Sequence, residues 1–421
     1  MISTPQKSGL YGLLIYAFVL VAGLILLKSN GMVDMTTWVR WIGDLNAKGV
    51  ITTYIDLIAA DEEYPPLSIV ILGGVGSFAK AATIHNYYAV KLSILFFLLL
   101  TSLSFYLYTR DILLTALIQF SLTLVTVALG YIDIYFTPFL VVSLFALSRA
   151  DEDGDKWSYT IFSVLFTIGF LIKWQPIVMM PFVLLYLFKV DSFKDFFRLD
   201  RSLILKAVVP SLVIIFIVFL IFGKSFPEAF FNAGNEDYLS GFAANLNWVL
   251  SYLLHLLSPA RYGPLTREGY VTILGTPQLP AMLVTGLKLL SITVYFFIVY
   301  SYLRVQKKSF VSLIKYSLLG FLAYFIFFTG AHENHLFVPC VLSAVLLVIS
   351  KKDFAWFLLM SLGLNLNLLV FYGITGDENV RFMRSIAGFD LSVLLALLNV
   401  MVFFVLAYKT ITEKEACEVE G

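Results

Sequence analysis

The sequence is poor in charge, cysteine and histidine. Only 14% of its 421 residues are charged, whereas about one quarter of a typical soluble domain is charged. The net charge of +1 gives no indication of a nucleic-acid partner or a polybasic lipid anchor. Of the two cysteines, Cys340 lies in a predicted membrane helix and Cys417 in the polar C-terminal tail, so we expect no disulfide between them and see no metal-binding spacing.

Apolar residues dominate what is present. They make up 60% of the chain, and the mean hydropathy is +0.88. Long apolar runs recur from end to end and predict an all-α polytopic membrane protein, because helices satisfy their own backbone inside a bilayer. About twelve spans are expected, near 10–27, 88–108, 112–128, 131–148, 157–172, 174–188, 203–223, 280–303, 311–330, 335–350, 353–373 and 390–409.

Two further apolar stretches, 66–80 and 245–257, are short, and we expect them to be re-entrant or interfacial. The first apolar run is long for a signal-peptide core and has no A-x-A site after it, which favours a retained first helix. The chain has no internal repeat and no low-complexity linker, so one transmembrane domain over residues 1–421 is the simplest description.

Lysine and arginine cluster in loops near 189–206, 304–315 and 351–352 and in the tail near 409–414. The positive-inside rule places these clusters in the cytoplasm and leaves 28–65, 224–279 and 374–389 outside. The outer segment 28–65 is acidic. Met35, Trp38, Val39, Ile42 and Leu45 recur within it at helical spacing, which predicts an amphipathic helix on the outer membrane surface.

The first outer segment carries candidate site residues. Asp34 follows the first span, where a carboxylate can accept a proton from an incoming hydroxyl. The alternative is that Asp34 only caps the surface helix. Further on, Glu63 and Tyr64 precede two prolines that favour an extended entry into the next apolar segment. A plain turn is the alternative for this element.

Two more elements lie between predicted spans. Asp133 ends a Gly-Tyr-Ile-Asp stretch and either faces a substrate or caps the next helix. Lys173 begins Lys-Trp-Gln-Pro, which includes Gln175. A lysine between apolar segments is costly unless it reaches water or an anion, and a lipid phosphate is one such anion. The alternative for Lys173 is snorkelling at the interface, with Trp174 as a belt residue.

Two of the four histidines lie in one outer junction, His332-Glu333-Asn-His335. His332 beside Glu333 could donate to a phosphate or orient a substrate. A hydrogen-bonded pair at a helix end is one alternative. His332, Glu333 and His335 also suggest a metal site, although their spacing matches no zinc signature. Asn245 lies in a Ser-Gly-Phe-Ala-Ala-Asn stretch of segment 224–279 that looks like a substrate-facing loop.

The order of these elements resembles the GT-C superfamily of polytopic glycosyltransferases. The family has an acidic first outer loop, a surface helix with Arg and Trp, and a Tyr-Pro-Pro-Leu element. Asp34, Arg40, Trp41 and Glu63–Leu67 match these elements here. The likeness extends over about residues 10–350 and is best to the dolichyl-phosphate-glucose glucosyltransferases and their bacterial relatives, which also carry a His-Glu pair, as in His332-Glu333.

The sequence departs from the family pattern at three places. Glu63 stands where Asp is usual, and Arg40 is one position out of register with the first Asp. Tyr135 stands where the metal-dependent oligosaccharyltransferases have a second acid, so the likeness favours the metal-independent branch and no cofactor.

The resemblance implies an inverting transfer of a sugar from a polyprenyl-phosphate-sugar to a hydroxyl of a glycan or lipid-linked acceptor, with Asp34 as general base. Arg40, Trp41, Glu63, Tyr64, Asp133, Lys173, Gln175, Asn245, His332 and Glu333 would bind substrate. It implies an active site on the non-cytoplasmic side, in a bacterial inner membrane. A transporter or flippase of a lipid-linked sugar is the main alternative, although its ionisable groups would be expected nearer the bilayer midplane.

Overall fold

The computed structural model describes residues 5–190, 201–376 and 384–412 and is mostly helical. The α-helices are α1 Pro5–Leu26, α2 Asp34–Lys48, α3 Val50–Ala59, α4 Pro66–Ala82, α5 Asn86–Thr109, α6 Ile112–Thr123, α7 Thr137–Asp153, α8 Lys156–Ile172, α9 Met180–Leu187, α10 Arg201–Ala207, α11 Val209–Phe222, α12 Ser225–Asn232, α13 Leu246–Leu257, α14 Pro259–Tyr262, α15 Ala281–Leu303, α16 Phe310–Phe327, α17 Phe337–Ile349, α18 Phe354–Tyr372 and α19 Leu391–Thr412. The strands are β1 Ser240–Gly241, β2 Ala331–His332, β3 Ser385–Ile386 and β4 Phe389–Asp390.

Among the described residues, seven helices are long and apolar enough to cross a membrane. They are Asn86–Thr109, Ile132–Asp151, Arg201–Phe222, Ala281–Leu303, Phe310–Phe327, Lys351–Tyr372 and Leu391–Thr412. The prediction of a helical membrane protein is therefore confirmed. The predicted number of about twelve spans is not, because seven helices of the described residues meet these criteria.

The difference has a structural cause, because several predicted spans are shortened or interrupted. The span predicted at 112–128 changes from α-helix to a π-helical turn at Leu124–Ala128. The span predicted at 174–188 opens with a 3₁₀ turn, Gln175–Met179, before α9. Parts of the segments 189–206, 374–389 and 409–414 lie outside the described residues, as does Cys417.

The chain forms two compact units, each assembled from three separate stretches. Unit 1 comprises 1–177, 200–235 and 372–382, and unit 2 comprises 178–199, 236–371 and 383–421. The single-domain description remains a prediction.

The helices of unit 1 define two ends. The start of α6 lies against α1, since a Cβ added at Gly12 would overlap the Ile112 side chain. At the opposite end, Ser29 follows α1 and accepts hydrogen bonds from the first turns of α5. The Tyr87 hydroxyl donates to its carbonyl and the Lys91 ammonium to its hydroxyl, at 3.2 Å. We call this second end, which carries Asp34, the Asp34 end.

The amphipathic helix predicted after the first span is α2. It buries Met35, Trp38, Trp41, Ile42 and Leu45, whereas Arg40 and Lys48 are exposed. The face was predicted correctly, except that Trp41 rather than Val39 is fully covered. Glycines let α4 pack closely against this surface layer, because a Cβ at Gly76 would meet the Ile42 side chain.

Both ends of α4 lie at the Asp34 end of unit 1. Tyr64, just before α4, contacts Trp38 and Trp41 of α2. After α4, the chain enters α5 at Tyr87, which donates to the Ser29 carbonyl. The apolar segment 66–80 therefore enters and leaves at the same end of unit 1, as expected for an interfacial or re-entrant element.

The short helix α13 of unit 2 shows the same behaviour. Just inside its N-terminus, Asn247 donates to the Phe327 carbonyl at the end of α16. An apolar cluster then holds the following chain beside the first turns of α15. Its members are Leu239, Tyr262, Leu274 and Leu279, with Leu250, Leu254, Leu283, Val284 and Leu287 packed around them. A helix of 12 residues is about 18 Å long, well short of a bilayer core of about 30 Å.

We expect cysteine accessibility to report this arrangement of α4. In a background without Cys340 and Cys417, Ala47→Cys and Ala82→Cys should react with an impermeant maleimide from the same face of the membrane. Asp151→Cys, at the far end of α7, should react only from the other face. Labelling of Ala82→Cys from the Asp151 face would show that α4 crosses.

Candidate functional site

Two Gly-x-x-Asp elements meet at the Asp34 end. Gly31 and Gly130 have positive φ angles of 73° and 85°, which favour glycine. A Cβ on either glycine would overlap the Met35 side chain. The Met32 amide donates to the Leu129 carbonyl at 2.8 Å. The stretches that lead to Asp34 and Asp133 therefore lie side by side.

Asp34 is the first residue of α2 and is half-buried, and Val33 is the N-cap. The alternative that Asp34 is the N-cap does not fit this geometry. Its carboxylate is close enough to act electrostatically on Tyr64. Burial raises the pKa of Tyr64 and the Lys173 ammonium opposes the rise. The carboxylates of Asp133 and Asp34 add to the increase in that pKa.

Lys173 follows the last residue of α8 and reaches into the site. Its Nζ lies 3.5 Å from Oδ1 of Asp133, donates to the Tyr64 hydroxyl at 3.3 Å, and sits 4.5 Å from the centroid of the Tyr64 ring. The side chains of Lys173 and Asp133 are 16% and 1% exposed. These contacts rule out interfacial snorkelling for Lys173 and show that the Asp133 carboxylate faces an ammonium.

The charged state of Lys173 is maintained by its neighbours. Burial by itself lowers the pKa of Lys173, but the Asp133 carboxylate, followed by Tyr64 and Glu63, more than offsets burial and raises that pKa. The group is therefore an ammonium at neutral pH.

Tyr64 is held from two sides. Its ring makes edge-to-face contacts with Trp38 and Trp41, at centroid distances of 5.0 and 5.4 Å. Pro65 is extended, with φ −66° and ψ 152°, and Pro66 begins α4, so the predicted extended entry is confirmed. On the other side, the indole N–H of Trp174 donates to the Glu63 carbonyl at 2.6 Å.

Asp34, Glu63, Tyr64, Asp133 and Lys173 form what we call the Asp34 cluster. The structure places two other predicted residues differently. Arg40 is 64% exposed and lies 3.6 Å from the Glu62 carboxylate, on the outer side of α2. Gln175 is buried, and in the described part of the chain its amide nitrogen and oxygen have no hydrogen-bond partner.

A second polar cluster lies in unit 2 around His332. The parallel pairing of β1 with β2 sets Gly241 beside His332. Nε2 of His332 lies 3.1 Å from Oε1 of Glu236, and the ring also bonds the Tyr238 hydroxyl. The predicted neighbour Glu333 is farther away, 3.8 Å from Nδ1. The main carboxylate partner of His332 is thus Glu236.

Asn245 has a structural position in unit 2. Its oxygen accepts from the Trp248 amide and caps α13, while its nitrogen donates to the Phe325 carbonyl at 2.9 Å. The side chain is fully buried. Its role in substrate binding remains a prediction.

Sequence reasoning missed Glu236, Tyr238 and Lys91. The Glu236-Asp237 pair in an outer segment was an available signal for Glu236. A lysine inside a predicted span is costly and conspicuous, so Lys91 could have been found. Nothing in the local pattern marks Tyr238, which reaches His332 only through the fold.

Comparison of the chain with protein-family models, with curated proteins and with solved structures gave no match.

The Lys173–Asp133 pair predicts a strong coupling in stability. Lys173→Met leaves a carboxylate that is 1% exposed without its cation, which typically costs roughly 3–5 kcal/mol. The double variant Lys173→Met/Asp133→Asn should recover a large part of this loss. Thermal unfolding of the four proteins in one detergent measures the coupling, and additive effects would contradict it.

The raised pKa of Lys173 fixes the pH dependence of this stabilisation. The contribution is fully present below the ordinary lysine pKa of 10.5 and is lost only as the pH rises through the higher folded pKa. Between neutral pH and 10 the coupling should therefore stay constant.

Proposed function

We propose that this membrane protein is an inverting glycosyltransferase that uses a polyprenyl-phosphate-sugar donor. The observation that carries the proposal is the Asp34 cluster. Its residues come from separate stretches of the chain, and contacts between apolar helices bring them together at one end of unit 1. The resemblance in the order of elements supports the same reaction class.

The cluster provides the groups that such a transfer needs. Asp34 is half-buried, so an acceptor hydroxyl can reach its carboxylate. As the proton passes to Asp34, the hydroxyl oxygen forms a bond to the anomeric carbon. The bond from that carbon to the donor phosphate oxygen breaks, and its electron pair leaves with polyprenyl phosphate. Attack opposite the leaving group inverts the configuration.

Lys173 is the proposed ligand for the leaving phosphate. Lysine acts as a point charge towards phosphate, and charge grows on the phosphate as the bond breaks. Asp133 and Tyr64 hold the ammonium in place before substrate binds, which lowers the cost of ordering it.

The remaining predicted residues fall into two groups. Gln175 would orient sugar or acceptor hydroxyls, because buried amide groups normally have hydrogen-bond partners, and Glu63, which lies in the Asp34 cluster, would do the same with its carboxylate. Trp41 supports Tyr64 from within the fold, and Arg40 pairs with Glu62 at the surface. In unit 2, Glu236 and Tyr238 hold His332, and the role of His332 in substrate binding remains a prediction.

The distribution of charge supports an outer location for the Asp34 cluster. Arg149 lies over the Tyr108 ring at the end of α5, and Lys206 over the Trp157 ring at the start of α8. Both are at the end of unit 1 opposite Asp34. The positive-inside rule then puts the Asp34 end on the non-cytoplasmic side.

We propose a bacterial inner membrane, in which the shorter apolar helices other than α3, α4 and α13 also cross.

A flippase or transporter of a lipid-linked sugar is the rival function. In the part of the chain that the structure describes, two buried lysines lie within membrane-length helices, Lys91 in α5 and Lys315 in α16. Each is five residues after the first residue of its helix, about 8 Å along it, and therefore near one end. That position favours an interfacial enzyme over a path through the midplane.

The test is transfer in liposomes with a panel of polyprenyl-phosphate-sugars and candidate hydroxyl acceptors. We expect Asp34→Asn to reduce release of polyprenyl phosphate by about 10²–10⁴-fold, the usual contribution of a general base, with donor affinity nearly unchanged. Asp56→Asn is the matched control, because Asp56 is an outer carboxylate that pairs with exposed Lys48 at 2.8 Å. It should retain wild-type turnover.

Two results would overturn the proposal. Full turnover by Asp34→Asn would remove Asp34 as the base. Movement of labelled donor to the opposite leaflet without release of polyprenyl phosphate, for the wild-type protein, would favour the flippase.

A further inference from the structure

The mechanism above gives no role to Lys91, a buried lysine of unit 1. Lys91 lies in the second turn of α5 and is fully buried. Its ammonium donates to the carbonyls of Val127 and Ala128, at 2.6 and 2.8 Å, and to the Ser29 hydroxyl at 3.2 Å. An ammonium has three N–H donors. All three have acceptors within unit 1, so Lys91 is not available to bind a substrate.

The acceptors explain why a side chain with several N–H donors is present. Val127 and Ala128 end the π-helical turn that follows α6. The last carbonyls of a helix lack partners within the helix and carry the negative end of its dipole. A lysine side chain can satisfy such carbonyls. Lys91 thus caps the end of the helix that leads into the Gly130–Asp133 element.

The same ammonium connects this helix end to the Asp34 element. Ser29 receives a hydrogen bond from Lys91 and lies with its hydroxyl 2.6 Å from the Ala128 carbonyl. Three residues on, the Met32 amide donates to the Leu129 carbonyl. A Cβ at Gly31 would be 3.4 Å from the Lys91 Nζ. Lys91 therefore lies at the junction of both Gly-x-x-Asp elements.

We propose that Lys91 is a positioning residue that holds the two Gly-x-x-Asp elements, Gly31–Asp34 and Gly130–Asp133, in a fixed register. The consequence for catalysis rests on the proposed function, whereas the register itself does not. Asp34 would face the acceptor and Asp133 anchors Lys173, so a shift between the two elements would separate the base from the phosphate-binding cation. Displacements of about 1 Å at such sites can cost about 100-fold in rate.

The test replaces Lys91 with methionine, which has an unbranched apolar side chain. The replacement leaves the buried carbonyls of Val127 and Ala128 without this donor, which destabilises the region around them, so folding of the variant is checked first. Hydrogen exchange of peptides spanning 29–35 and 127–133 should be about tenfold faster than in the wild type, because these segments open locally. Peptides from α8 should be unchanged.

The matched control is Lys315→Met. Lys315 is also buried in a membrane-length helix, and it pairs with Asp353 at 3.2 Å in unit 2. This variant should leave exchange in 29–35 and 127–133 at wild-type rates. If donor transfer is established, Lys91→Met should lower kcat by about tenfold or more with little change in KM for the donor.

The outcomes separate the two proposals. If folded Lys91→Met shows wild-type hydrogen-exchange rates in both 29–35 and 127–133, the positioning role is overturned, whatever the activity of the variant. Faster exchange together with a wild-type protein that transfers no sugar would keep the positioning role and reject the transferase. If Lys91→Met does not fold, Ser29→Ala is the second variant, because it removes one acceptor of the Lys91 ammonium. Its hydrogen-exchange rates in 29–35 and 127–133 should increase by less than those of Lys91→Met. Wild-type rates in both segments of Ser29→Ala would then contradict the proposal.

Discussion

The ammonium of Lys173, placed between the Asp133 carboxylate and the Tyr64 hydroxyl, is the contact on which the Asp34 end depends. Each partner comes from a different element, and Lys173 and Tyr64 are 109 residues apart in the chain. Buried charges require partners. The three elements that carry Lys173, Asp133 and Tyr64 are therefore constrained to stay together. Tyr64 extends the constraint to Trp38 and Trp41, and hence to α2.

This arrangement puts ionisable groups where apolar helices end. Asp34 begins α2, Asp133 lies in a 3₁₀ turn before α7, and Lys173 follows α8. Of the three, Asp34 is half-buried and therefore partly accessible to water, whereas the Asp133 side chain is only 1% exposed. The proposed reaction between a membrane-anchored donor and a polar acceptor needs an accessible base, and Asp34 meets that requirement.

Much of the Asp34 cluster could be predicted from sequence because its residues stand at helix ends with local signals. The amphipathic face of α2 follows from helical periodicity, and the extended Tyr64-Pro65-Pro66 entry from proline geometry. The partner of Lys173 could not be predicted, since Asp133 is brought to it by helix packing. For the same reason Glu333 was expected beside His332, whereas Glu236, 96 residues away, makes the shorter contact.

The most direct measurement is a cryo-EM structure of the Asp34→Asn variant in nanodiscs with a bound polyprenyl-phosphate-sugar. The account predicts phosphate density in contact with the Lys173 ammonium and the anomeric carbon facing the side chain at position 34. Donor density with its phosphate at the opposite end of unit 1, beside Arg149 and Lys206, would contradict it.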